Sequence, residues 1–460
     1  MSISMQVLLL AGTRGSRMPP LATPSPKCML PIANRPMLFY SLFSIARAVD
    51  YVLVVTSAQH ADAVREYCQN VFPEDPLVRA LRRPALTVDV LETDPDAGTA
   101  ELLAQLNLQP ADVLVMSADY VGDIDLAALA DRHREKGVAA TVAFVEKETN
   151  TDTDSAAKGK KGGKKKPKGA VEGFDVEGYA LLNQADNRLL AVFSKADLEA
   201  GSLRAAAPLV NRYPSISVRS NLSDPHIYIL NFSLVQQLLF KYSKISSLKY
   251  DLIPYLARRQ HTLSDEVADW ELGLRDVSVV ADVITGVYAK RANTVDSFKR
   301  ANLAIAGGLL DAFLNPNKEQ ADKDVPAKKN KEKKSEKVSV FETEGERCNV
   351  STDSAVGPGV SAGDRVSIKK SVIGAGCQIA SNVKVNGCVV LDNVTLEEGA
   401  NLAGCVVCEG ASIGGGATLK NCNVASHFVL EGGTEGTDRD FTTAHQHEED
   451  TSIAQAFEFI

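Results

Sequence analysis

Four segments near the end of the chain repeat one another every 17 residues. SVIGAGCQIASNVKVNG begins at Ser371, CVVLDNVTLEEGANLAG at Cys388, CVVCEGASIGGGATLKN at Cys405 and CNVASHFVLEGG at Cys422. Apolar residues hold fixed offsets: Ile373, Val390, Val407 and Val424; then Ile379, Leu396, Ile413 and Leu430; then Val385, Leu402 and Leu419. Successive positions are six apart, which fits neither the 3.6 period of a helix nor the 2.0 period of an isolated strand. The spacing suits a triangular coil with one apolar residue per side turned inward. Stacked coils then form three parallel sheets around one core. Gly399, Gly416 and Gly433 share an offset where a turn tolerates φ > 0. Cys388, Cys405 and Cys422 fall on successive coils. Their spacing does not forbid a disulfide, but without a secretion signal small buried thiols are the reading.

The first third of the chain has a different texture. MQVLLL, YVLVVT, LTVDVL, DVLVMS and AATVAF are short apolar runs, as in strands buried on both faces of a parallel sheet. Helical stretches lie between them, so an α/β domain with a mainly parallel, Rossmann-like sheet is predicted. The segment 150–170, with its lysines from Lys158 to Lys168, lacks apolar periodicity and reads as a disordered insertion. Such a charge run is a solvated loop or an arm for a polyanion. The predicted organisation is an α/β domain over 1–312, a linker over 313–340, a β-helix over 341–433 and an acidic tail over 434–460.

A formal net charge of −8 argues against direct nucleic-acid binding. No run approaches 18 consecutive apolar residues, so no membrane span is expected. The N-terminus reads as a buried first strand, and a cytosolic location is expected. The eight cysteines show no zinc-type arrangement apart from the isolated pair Cys405 and Cys408.

Residues suited to phosphate chemistry follow the first strand, in LLLAGTRGSRMPPLATPSPKCMLPIANRPML. A Gly-containing turn at the carboxyl end of a parallel strand presents backbone N–H groups to phosphate. Gly12, Gly15, Arg17 and Lys27 are the candidates, although Lys27 also reads as a solvated loop charge. This stretch resembles the signature of the nucleotidyltransferases that make nucleotide-diphosphate sugars. That resemblance implies a base-contacting turn at Gly98 and Thr99 in DAGTAELL and a first metal ligand at Asp119 in DVLVMSADYVGD. The bland reading of Asp119 is a structural loop acid. The repeats resemble the hexapeptide-repeat family, which implies a left-handed β-helix. His427 is similar in kind to the catalytic histidine of β-helix acyltransferases, but it stands where the repeat frays with no evident partner, so no such role is expected.

Departures from the nucleotidyltransferase pattern point away from catalysis. The resemblance places the second metal acid at the end of HIYILN, where Asn231 stands, so no complete metal site is expected. The sugar-phosphate segment keeps Lys195 but has Ser194 and Ala196 in place of Glu and Pro. Thr13 and Ser16 alter the loop. No catalytic residue and no resident cofactor are expected, while a vestigial loop can still hold GTP.

The lysine-rich insertion, LIPYLARRQ, VYAKRANTVDSFKRAN and the SVIGAGCQI repeats together resemble the gamma-subunit family of eukaryotic translation initiation factor 2B. This implies a non-catalytic subunit of the guanine-nucleotide exchange factor for translation initiation factor 2. It implies pairing with an epsilon subunit and docking on alpha, beta and delta subunits. The alternatives are an active sugar-phosphate nucleotidyltransferase, such as a mannose-1-phosphate guanylyltransferase, or an inactive regulatory partner of one.

Overall fold

The computed structural model describes residues 5–12, 18–21, 26–81, 83–94, 97–147, 178–194, 197, 207–261, 277–315, 342–343 and 347–442. The insertion at 150–170, nearly all of the expected linker and the tail after residue 442 lie outside the described residues. The chain divides into two compact units. One comprises Met1–Gly12 with Ser41–Lys290, and the other Thr13–Tyr40 with Arg291–Ile460.

The first unit is built on one large sheet. In chain order its main elements are β1 (Gln6–Leu10), β2 (Tyr51–Ser57), α1 (Ala58–Glu66), β3 (Thr87–Thr93), α2 (Thr99–Gln105), β4 (Asp112–Ser117), α3 (Leu126–Lys136) and β5 (Ala140–Glu146). After these come β6 (Gly178–Asn183), β7 (Leu189–Ser194), β8 (Ile216–Arg219), β9 (Ile227–Asn231), α4 (Phe232–Lys241), α5 (Ile253–Arg259) and β10 (Val279–Ile284). The sheet order is β5-β9-β4-β1-β2-β3, with β10 beside β5. Strands β4, β1, β2 and β3 are parallel, and β9 runs antiparallel between β4 and β5. The parallel order matches the sequence prediction, because strands such as β1 and β4 are apolar on both faces and nearly all buried.

Helix α3 is fixed to the sheet by polar contacts as well as packing. Arg132 makes a two-pronged ion pair with Asp282 on β10, its Nε at 3.0 and 3.1 Å and its Nη2 at 2.6 Å from the carboxylate oxygens. The buried His133 Nδ1 lies 2.7 Å from the Thr141 hydroxyl on β5. Asp125 caps the helix N-terminus, accepting from the Ala127 and Ala128 amides, and Gly137 ends it with φ 55°. A smaller antiparallel sheet, β7-β6-β8, carries its own apolar cluster of Leu181, Leu190, Leu209 and Tyr213.

The second unit contains the stacked coils that the repeat predicts. Three six-stranded parallel sheets run through it, and partners are offset by one 17-residue coil, as in Ile379↔Leu396, Val385↔Leu402 and Val390↔Val407. The inward residues form one buried cluster. The coils run through Asp440–Phe441, beyond the expected end at 433. That last coil departs from the repeat: Gly436 stands where Leu419 stands one coil earlier, and a Cβ there would lie 3.0 Å from the Phe441 ring. An aromatic ring thus fills the core position from another side of the coil.

Turn geometry explains the glycine column. Gly399, Gly416 and Gly433 have φ of 76°, 70° and 73°, a region costly for residues with a Cβ. In a neighbouring column Gly410 lies under His427, whose ring would stand 2.4 Å from an added Cβ. The thiols of Cys388, Cys405 and Cys422 point to backbone carbonyls at 3.3, 3.4 and 3.3 Å. Cys348, Cys377, Cys388, Cys405, Cys408 and Cys422 are unbridged thiols.

The unit boundary differs from the expected one at 312. Helix α6 (Val295–Ala306) and the hairpin Pro31–Pro36 group with the β-helix. The cause is polar. The fully buried Asn302 accepts from the Ala33 amide at 2.8 Å, Asn34 donates to the Ile373 carbonyl at 3.1 Å, and Lys299 donates to the Gly404 carbonyl at 3.0 Å.

Candidate functional site

The carboxyl edge of the main sheet is the place to seek a site in this topology. The chain builds β1, β2 and β3 outward in one direction and then crosses to β4 on the other side of β1. In open α/β sheets ligands bind outside the carboxyl ends of the strands at such a switch point. Gly12 follows β1 there, with a virtual Cβ at ordinary contact distance from Thr56 and Ser57 at the end of β2. Asp119 occupies the turn after β4 and is 2% exposed. Hydrogen bonds hold these ends in register: Ala118 N donates to the Leu10 carbonyl, and Ser41 Oγ donates to the carbonyls of Ser117 and Tyr120. The structure therefore brings Gly12 and Asp119 to one edge. Gly15, Arg17, Thr13, Ser16, Lys195 and Ala196 lie outside the described residues.

Lys27 opens a short 3-10 turn, Lys27–Met29, and is 6% exposed. Reading it as a solvated loop charge is therefore incorrect. A buried lysine needs local compensation for the loss of water.

Gly98 and Thr99 are engaged by their own chain. The Gly98 amide donates to Glu101 Oε2 at 3.2 Å, and the Ala100 amide donates to the Ser246 carbonyl at 2.7 Å. Thr99 Oγ1 accepts from the Leu248 amide at 2.9 Å. A Cβ at Gly98 would stand 2.0 Å from Ser246 Oγ, so glycine is required by the close approach of residues 246–248. The Gly98 amide, the Thr99 hydroxyl oxygen and the Ala100 amide are thus all engaged within the chain.

The expected pairing of Asp119 with position 231 is overturned. Strand β9 is antiparallel to β4, with Ile227↔Met116 at one end and Asn231↔Asp112 at the other. Strand β4 alone spans roughly 17 Å at about 3.3 Å per residue, so Asp119 and Asn231 cannot share an ion. Asn231 instead caps α4, its side chain accepting from the Leu234 amide at 3.1 Å. Reading the strand from sequence gave its existence but not its direction.

Two other acids deserve comparison with Asp119. Asp224 precedes β9 at the end nearer Asp119. It meets Lys249 Nζ at 3.2 Å, the Tyr228 hydroxyl at 2.8 Å and the His226 amide at 2.7 Å. Burial pushes its carboxyl up, but Lys249, His226 and Tyr228 outweigh that and hold it below the usual range. Asp282, on β10, is paired with Arg132. Sequence reasoning missed both, because each is recognisable only through partners distant in the chain.

Nearby, Asp123 is shifted upward, chiefly by burial, with Tyr288 and Arg47 opposing. Its amide donates to the Tyr288 carbonyl at 3.0 Å. Among the described residues no helix is long and apolar enough to cross a membrane.

Comparison with known proteins agrees with this architecture. Residues 6–154 match a family model described as nucleotidyl transferase, and residues 334–435 match the EIF2B subunit epsilon LbH domain. The translation initiation factor eIF2B subunit gamma of Caenorhabditis elegans is 27% identical over 304 residues, covering 65% of this chain and 68% of that protein. Its counterpart in Schizosaccharomyces pombe is 24% identical over 323 residues, 66% of each chain. The epsilon subunit of that yeast is 24% identical over 139 residues, 29% of this chain and 19% of the relative. The alignments with the gamma subunits thus span about two thirds of those relatives. The chain joins a nucleotidyltransferase domain to a left-handed β-helix and resembles the gamma subunit of translation initiation factor eIF2B.

Proposed function

We propose that this protein is a non-catalytic subunit of an eIF2B-type guanine-nucleotide exchange factor, acting in the cytosol during translation initiation. The observation that carries the reading is the joint presence of both domains with similarity to gamma subunits across most of the chain. The partners are an epsilon subunit, the alpha, beta and delta subunits, and translation initiation factor 2 as the factor acted on.

The non-catalytic part of the reading does not rest on Asn231. Its support is the pairing of Asp224 and Asp282 with basic residues, the internal engagement of the Gly98–Thr99 turn, and Ser194 and Ala196 in the sugar-phosphate segment. A metal-bridged phosphoryl transition state needs charge stabilisation worth several kcal/mol. An acid already neutralised by lysine or arginine supplies less of it. Fold alone does not imply turnover.

Mechanistically, the chain would act through contact surfaces. The Lys299, Asn302 and Asn34 hydrogen bonds make α6, the hairpin and the β-helix one body, which is suited to holding a partner in fixed orientation.

The test is affinity purification of the tagged full chain from cells, followed by mass spectrometry. Translation-factor subunits should co-purify in stoichiometric amounts. Recovery of sugar-synthase subunits instead would refute the reading. The purified chain, given GTP, Mg²⁺ and mannose 1-phosphate, should release no pyrophosphate above background.

A further inference from the structure

The two sides of the main sheet end differently. On the β10 side the chain closes its own edge: Val280 forms a bridge with Arg188, and the Ala281 amide donates to the Asn187 carbonyl at 2.9 Å. At the other edge stands β3, paired with β2 alone. Its seven residues run in unbroken register, from Tyr51↔Thr87 to Ser57↔Thr93, with no bulge. A long regular edge is a template for another strand, and chains that avoid such pairing shorten, bulge or cover it.

The ladder shows which groups this edge offers. The Thr87 amide donates to the Asp50 carbonyl at 2.9 Å, so Thr87, Asp89, Leu91 and Thr93 bond toward β2 in the parallel ladder. The backbone N–H and C=O groups of Val88, Val90 and Glu92 therefore point out of the sheet. No other element among the described residues pairs with them. Donors and acceptors at two-residue intervals match an extended chain. A helix has already used its backbone groups internally.

The side chains define the chemistry of the incoming strand. Asp89 and Leu91 share the face of β3 on which Tyr51 lies, since the Tyr51 hydroxyl donates to Asp89 at 2.8 Å. Leu91 is 40% and Tyr51 43% exposed there. On the opposite face Glu92 meets Arg65 of α1 at 3.2 Å, and Arg65 also meets Asp62 at 2.7 Å. Arg83, at the entry to β3, is beside Asp50 at 3.5 Å. Along the strand Asp62, Asp89 and Glu92 thus stand against Arg65. Each face pairs an acid with apolar surface, Asp89 with Leu91 and Glu92 with Val90. Opposite charges directly across a ladder attract, and like charges repel.

We propose that β3 is the docking edge for an extended segment of a partner protein, one that carries lysine or arginine together with apolar residues on each of its faces. The segment adds a strand to the main sheet. Its backbone meets Val88, Val90 and Glu92, its cations meet Asp89 and Glu92, and its apolar side chains cover Leu91 and Tyr51. In such strand addition the main-chain hydrogen bonds give affinity and the side chains give choice. The proposal uses none of the residues on which the subunit reading rests, so the two stand or fall separately.

Amide NMR of the deuterated full chain, titrated with the peptide Val-Lys-Lys-Val-Val-Lys-Lys-Val, tests this. That peptide places a cation and an apolar residue on each face of a strand. The controls are Val-Lys-Lys-Pro-Pro-Lys-Lys-Val, which keeps the charge but loses central donors, and Val-Glu-Glu-Val-Val-Glu-Glu-Val. Saturable shifts at the Val88, Val90 and Glu92 amides are expected with the first peptide, and binding about tenfold weaker with either control. Reversing both acids, Asp89→Lys with Glu92→Lys, should weaken binding by about tenfold. Both positions are exposed, and unchanged amide shifts in β1 and β4 would show that the fold is intact. Absence of saturable shifts along β3, equal binding of the proline-interrupted peptide, or undiminished binding to the reversed chain would overturn the proposal. Dimerisation of the chain alone that protects the same three amides would assign the edge to a second copy and overturn it as well.

Discussion

Asn231 sits directly across from Asp112, at the opposite end of the β9–β4 ladder from Asp119. Its side chain caps α4. Aspartate and asparagine are nearly equivalent at an N-cap, and a negative charge there suits the helix dipole. Asn231→Asp should therefore change stability by less than about 0.5 kcal/mol and create no Mn²⁺ affinity. Thermal unfolding and Mn²⁺ titration check both points. A metal-dependent gain of nucleotidyl transfer in this variant would show that the strand register is wrong.

Asn302 is fully buried and joins the Ala33 amide to α6. Truncation to alanine leaves a buried amide unsatisfied, at a cost of about 1–3 kcal/mol. Hydrogen exchange should accelerate at residues 31–36 in Asn302→Ala. Unchanged protection there would show that the hairpin is held by packing alone.

Leu402 lies inside the coil stack, between Val385 and Leu419 on adjacent coils. Leu402→Ala should destabilise the fold by about 2–5 kcal/mol. Its outward neighbour Asn401→Ala should cost less than about 0.5 kcal/mol. Equal losses in denaturant titrations would contradict the inward and outward assignment.

His261 is pushed down from 6.5 to about 4, first by burial and then by Arg212 and Arg188. The unfolded chain then takes up a proton before the folded chain as pH falls. This contribution to stability is complete above about 6.5 and is lost progressively toward about 4. Urea titrations across that window should show the decline, and His261→Gln should flatten it. An identical pH slope in the variant would assign the decline to another group. The groups facing the ring are Tyr213, Arg212, Arg188 and the Leu190 backbone.

Much of the architecture was legible because it is written in local periods. The 17-residue repeat names the three inward columns that run from Ile373 to Leu430, and the same period sets the left-handed turn at Gly399, while inward residues such as Val383, Val394 and Ala400 became evident only in the coil stack. Gly12 and Asp119 were legible too, since each follows a recognisable buried strand. Asn231 was misread, because an apolar run such as HIYILN looks the same in either direction. The pairings of Asp224 with Lys249 and Asp282 with Arg132 left no trace in sequence spacing, being 25 and 150 residues apart.

The sequence by itself determined the stacked coils and the parallel sheet, since burying one apolar residue every six, or a continuous apolar run, admits few backbone solutions. Only the tertiary structure decided which acids are neutralised, which end of the sheet Asn231 occupies, and that α6 travels with the β-helix. Those outcomes depend on hydrogen bonds and charges between segments far apart in the chain, such as Ala33 with Asn302, whose energies no local pattern encodes.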